Sequence, residues 1–140
     1  MKYDAAEHKC AIIVDGELPV GLAANAVSVI GISFGREIEG IVGPDRYSKD
    51  EIRYPGVIYS PLPVLSADAQ SISAIHQKCL EEPGVYLMPF SDLAQSCKTY
   101  DEYTEKLSNT DNERLKLVAL GLVGPRKLIN KLTGNLVLFR

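Results

Sequence analysis

Asn25 and Ser28 stand three residues apart in a stretch, Pro19–Phe34, that is otherwise almost wholly apolar. On a helix that spacing puts both on one face. The Asp15-Gly16 break and Pro19 mark a helix start directly after an apolar strand, Cys10–Val14. Free N–H groups and the positive end of such a helix favour an anion. Asn25 then orients a carbonyl or phosphate at the mouth of a pocket, with Gly21 and Ser28 beside it. The alternative has Ser28 bonding back to the Ala24 carbonyl and Asn25 simply exposed. Asp92 follows a second apolar run, Val85–Met88, where open α/β sheets place ligand-contacting residues. There it serves either as an acid/base partner to Asn25 or as a cap for the helical turn Leu93–Cys97.

Other chemistries find less support. His8-x-Cys10 and His76-x-x-Cys79 offer two pairs of metal-ligating side chains, but not at the spacings of zinc modules. Gly16 and Gly21 do not form the GxGxxG of a dinucleotide site, and no GxSxG marks a nucleophile. The expectation is therefore no metal and no cofactor. Cys10, Cys79 and Cys97 are odd in number and scattered, as in a reducing compartment. The longest apolar stretch is too short and too interrupted to span a membrane, and the acidic start does not suit a signal peptide. A cytoplasmic protein is expected.

The elements that must position these residues follow from pattern. With 140 residues, the chain suits one domain, 1–140, able to bury roughly 70% of its unfolded surface. After the strand and the Pro19–Phe34 helix, residues 35–56 read as a loop with a short strand near Ile38–Val42. Val57–Leu65 reads as a strand curtailed by Pro61 and Pro63. Ala67–Glu82 has helical spacing and ends at Pro83-Gly84. Val85–Met88 is a strand, Ser91–Cys97 one helical turn and Tyr100–Leu107 an amphipathic helix. Leu115, Val118, Ala119 and Leu122 predict a helix over Asn112–Val123, which Gly124-Pro125 would stop. A short helix through Leu128 and Ile129 and a last strand, Asn135–Phe139, complete the chain. Strands alternating with helices predict a three-layer α/β/α sandwich around a small, mixed and mostly parallel sheet.

The net charge of −3 conceals an asymmetry. The first 113 residues carry −9 and the last 27 carry +6. A basic end either binds phosphate or nucleic acid or neutralises the acidic remainder within the fold. Arg126 and Lys127 are its candidate phosphate contacts.

The C-terminal stretch from Ala119 to Phe139, with Gly-Pro-Arg-Lys at 124–127 and Lys-Leu-Thr-Gly-Asn-Leu at 131–136, resembles the end of type II peptidyl-tRNA hydrolases. The strand, turn and Gly-x-Ala-Ala-Asn helix at the start, residues 21–25, resemble the same superfamily. With the Tyr-x-x-Tyr at Tyr100 and Tyr103, nearly the whole chain is similar to the domain of unknown function 2000 family. The resemblance implies a four-stranded mixed sheet and a pocket near the start of the first helix. Those hydrolases carry a Lys where this chain has Gly21, a Gln where it has Asn25, and often a His where it has Ser28. A missing Lys removes a cation that would stabilise an oxyanion or hold a phosphate.

Three readings follow. The first is a protein binding a small polar or nucleotide-like ligand through Gly21, Asn25 and Ser28, with Arg126 and Lys127 on a phosphate. The second is a divergent hydrolase of peptidyl- or aminoacyl-tRNA esters. The third is a non-catalytic homodimeric module whose contact surface is the Tyr100/Tyr103 helix.

Overall fold

The computed structural model describes all 140 residues. In chain order the elements are β1 (His8–Asp15), α1 (Val20–Glu37), β2 (Arg46–Tyr47), β3 (Arg53–Tyr54), β4 (Val64–Ala67), α2 (Ala69–Cys79), β5 (Tyr86–Ser91), α3 (Asp92–Ser96), α4 (Tyr100–Ser108), β6 (Leu117–Pro125), α5 (Arg126–Thr133) and β7 (Val137–Leu138). Five strands make one mixed sheet in the order β5-β6-β1-β4-β7, and β2 and β3 form a separate hairpin. The sheet thus has five strands where four were expected. Nor is it mostly parallel: β1 and β4 run parallel, while β1–β6, β5–β6 and β4–β7 are antiparallel.

β1 is central and buried on both faces, which is why its sequence is a continuous apolar run rather than an alternating one. Cys10, Ile12 and Val14 meet the Ala23, Ala26, Ile30 and Phe34 face of α1. Ala11 and Ile13 meet the opposite layer, built from Ile72 and Cys79 of α2 and Ile129 and Leu132 of α5. The expected α/β/α layering is present. It also places Cys10 and Cys79 on opposite sides of the sheet, so the two His/Cys pairs do not converge.

The expected helix over Asn112–Val123 is a correction. Only Asn112–Arg114 turns helically, and Leu117–Pro125 is β6, paired with β1 on one side and β5 on the other. A strand buried on both faces shows no period of two, so its leucines can mimic a helical stripe. Gly121 has a specific packing role. A Cβ there would sit 2.5 Å from Ile30 and 2.8 Å from Phe34, so its absence lets α1 lie close on the sheet.

The expected strand Val57–Leu65 overlaps β4 only at Val64 and Leu65, since Pro61 and Pro63 withhold ladder donors before it, and β4 runs on to Ala67. Near Ile38–Val42 there are only isolated bridges, Glu39 with Lys2 and Val42 with Ile58. The loop predicted over 35–56 contains the β2–β3 hairpin, tied down by Asp45, which accepts from the Gly56 N–H at 3.0 Å and from Arg53 at 2.9 Å.

Candidate functional site

α1 buries one stripe and leaves a neighbouring stripe, Asn25, Val29, Ser33 and Arg36, on its flank. This flank forms one wall of the largest cleft in the molecule, about 620 Å³. Met88 and Phe90 of the edge strand β5 also line it, as do Gln95 of α3, the linker Cys97-Lys98-Thr99, and Tyr100 and Tyr103 of α4. Two caps hold that second wall. Ser91 Oγ accepts from the Ala94 N–H to start α3, and Thr99 Oγ1 accepts from the Glu102 N–H at 3.1 Å to start α4. Thr99 and Glu102 have capping-box spacing, and the Glu102 carboxylate accepts from the Lys98 N–H at 3.1 Å. Lys106 donates to the same carboxylate at 2.8 Å. Chiefly through that bond from Lys106, the Glu102 carboxyl is held below its usual range.

The wall of α3 is joined to α1 by Gln95. Its side-chain amide donates to the Leu22 carbonyl at 2.9 Å and to Asn25 Oδ1 at 3.2 Å. The charge lining the cleft is one-sided. Arg36 and Lys98 line it without an ion-pair partner, and no carboxylate does. Tyr100 and Tyr103 pack edge to face at 5.8 Å, and burial pushes the Tyr103 phenol up.

The candidate residues read from sequence do not form one group. Asn25 lines the cleft; Ser28 does not, and its hydroxyl donates to the Ala24 carbonyl at 2.8 Å. Gly21 is exposed, and an added Cβ there would meet nothing within 4 Å. Asp92 opens α3 as an exposed residue outside the cleft, so the pairing of Asn25 with Asp92 is not assembled there. Arg126 lines a different groove, of about 550 Å³, with Lys9 and Ser60–Pro63, and donates to the Ala5 carbonyl at 2.6 and 3.2 Å. Lys127 is exposed and lines neither cavity. The cleft begins at Asn25 and runs toward the C-terminal end of α1, rather than over its N-terminus.

Ser33, Arg36, Gln95 and Lys98 went unrecognised in the sequence. Asn25, Ser33 and Arg36 do recur at helical spacing, a polar stripe beside an apolar one. Nothing local in the sequence pairs Gln95 or Lys98 with it.

A mixed sheet with helices on both faces, and a cation-lined cleft on one flank, defines an α/β sandwich protein with a cavity of small-molecule size. The family described as "Protein of unknown function (DUF2000)" matches residues 8–140, and the chain belongs to that family. Among solved structures, a protein of unknown function from Agrobacterium tumefaciens shares the fold, with a TM-score of 0.80. It is 21% identical, and the match covers 96% of this chain and 98% of that one. No curated protein matches the chain. No helix is long and apolar enough to cross a membrane.

Proposed function

We propose that the protein binds a small anionic molecule in the cleft between α1, β5 and the α3–α4 segment, acting in the cytoplasm. One observation carries this reading. In a chain with 18 acidic residues and a net charge of −3, the largest cleft is lined by two unpaired cations and no acid. Unpaired cations beside an apolar floor attract and orient an anion more strongly than the same charges in open water. The cavity's size falls within the range of small-molecule sites, about 300–1,000 Å³. Titration with inorganic phosphate, followed by amide chemical shifts, tests the reading. Shifts confined to the cleft and lost in an Arg36→Ala/Lys98→Ala double variant are expected. Unchanged spectra at low salt with millimolar inorganic phosphate and with phosphate monoesters alike would overturn it.

A kinship with the type II peptidyl-tRNA hydrolases rests on the C-terminal motif from Ala119 to Phe139. A hydrolase of peptidyl- or aminoacyl-tRNA esters on this frame would need an acid/base group other than Asp92 beside Asn25. Turnover of peptidyl-tRNA that disappears in Asn25→Ala would establish that activity. The homodimer reading draws support from a different surface, the exposed Tyr47, Ile52, Tyr54, Val57 and Tyr59 around the hairpin. Sedimentation equilibrium tests it, a monomer at all concentrations being the adverse result.

A further inference from the structure

We infer that the ligand of this cleft is a nucleoside phosphate, a flat base with adjacent acceptor and donor groups joined through a sugar to the anion. This deepens the anion-binding reading and rests on it. The Leu22 carbonyl can only accept, so the Gln95 amide nitrogen must face it, at 2.9 Å. The second N–H of that nitrogen goes to Asn25 Oδ1. Both donors of Gln95 and the oxygen of Asn25 are therefore engaged. Asn25 Nδ2, a donor, and Gln95 Oε1, an acceptor, have no partner in the protein, and both side chains line the cleft. Two linked amides that leave a donor and an acceptor free suit a ligand edge offering an acceptor and a donor. The Watson–Crick edge of every nucleobase offers that combination.

The rest of the cleft fits the same molecule. Tyr100, 79% exposed, and Tyr103 supply aromatic surface on which a base can stack. Arg36 lies eleven positions beyond Asn25, about 16 Å along the helix axis. A free phosphate or a small organic acid cannot engage both ends of such a wall. A base, sugar and phosphate can, together with the reach of the arginine and lysine side chains.

Calorimetric titration with AMP, GMP, UMP and CMP, set against ribose 5-phosphate and inorganic phosphate, tests the inference. At least one nucleotide should bind about tenfold or more tightly than ribose 5-phosphate. In Gln95→Met, which cannot hold Asn25, that ratio should fall about threefold or more, leaving what stacking on Tyr100 and Tyr103 supplies. Asn25→Ala should repeat the result, and an unchanged ratio in both variants overturns the base-edge inference. If ribose 5-phosphate binds wild type as tightly as every nucleotide, the base-edge inference is overturned and the anion reading stands. If neither the nucleotides, the sugar phosphate nor inorganic phosphate binds, both are overturned.

Discussion

Arg36 and Arg126 are both arginines, and both beside cavities, yet they are placed to do different things. Arg36 makes no ion pair and faces the main cleft, so its charge is free for a ligand. Arg126 is spent on the Ala5 carbonyl, where it ties the N-terminal segment to α5. Arg36→Ala should weaken phosphate or nucleotide binding by about tenfold, the scale of one charged hydrogen bond, with little change in melting temperature. Arg126→Ala should do the reverse, lowering stability by about 1 kcal/mol with anion affinity unchanged. Titration calorimetry and urea unfolding on the two variants separate these roles. Ser28 and Asn25 make a similar contrast. Three residues apart they share one side of α1, but only Asn25 lines the cleft and accepts from Gln95 of α3, while the Ser28 hydroxyl donates back to the Ala24 carbonyl.

Between elements, α1 lies tightly on β6. Gly121 stands opposite Ile30 and Phe34, and both are fully buried, so an added methyl has nowhere to go without moving the helix. Gly121→Ala should cost about 1–3 kcal/mol by urea denaturation, the usual penalty for overpacking. Because α1 carries one wall of the cleft, the same change should also shift cleft resonances. At the other wall, Thr99→Ala removes the cap of α4 and should cost about 1 kcal/mol. That substitution should also loosen the linker holding Lys98. β6 shows why element type was not readable locally. Its residues Leu117–Val123 are apolar at every position because α1 covers one face and α2 with α5 the other. A sequence reading sees the leucines and not the two layers.

Across the whole molecule, one cation of the basic C-terminal stretch reaches an acid of the remainder. Lys116 Nζ lies 3.9 Å from the buried Asp15 carboxylate. Stability toward acid should depend in part on His76, which is 6% exposed on the inner face of α2. Burial disfavours its charged form and lowers its pKa. Glu113 lines the adjoining groove, but desolvation sets the direction of the shift. The unfolded chain then binds the proton more readily than the native one. His76 therefore exerts no penalty above its unfolded pKa of about 6.5, and stability is lost as pH falls from there through the lower native value. Unfolding free energy measured from pH 8 to 5 should decline over that window, and His76→Gln should flatten the decline.

Much of the architecture was legible because it is written in local chemistry. Cys10–Val14 is apolar at each position, which suits a strand covered on both faces, and it lies within β1. Pro19, Pro83-Gly84 and Gly124-Pro125 punctuate the chain near true boundaries, since proline cannot donate a helical hydrogen bond. Asn25 was visible as a polar residue on an apolar helix, and family membership was visible in the motifs at both ends of the chain. Strand number, strand direction and the membership of the cleft were decided by tertiary structure alone. Whether Leu117–Val123 becomes a strand depends on partners, β1 and β5, that lie far from it in sequence. Gln95 and Lys98 line the cleft only because β5 pairs with β6 and brings α3 and α4 beside α1. Local sequence encodes backbone preference and amphipathicity. A binding site is a coincidence of surfaces, and packing of distant elements brings these surfaces together.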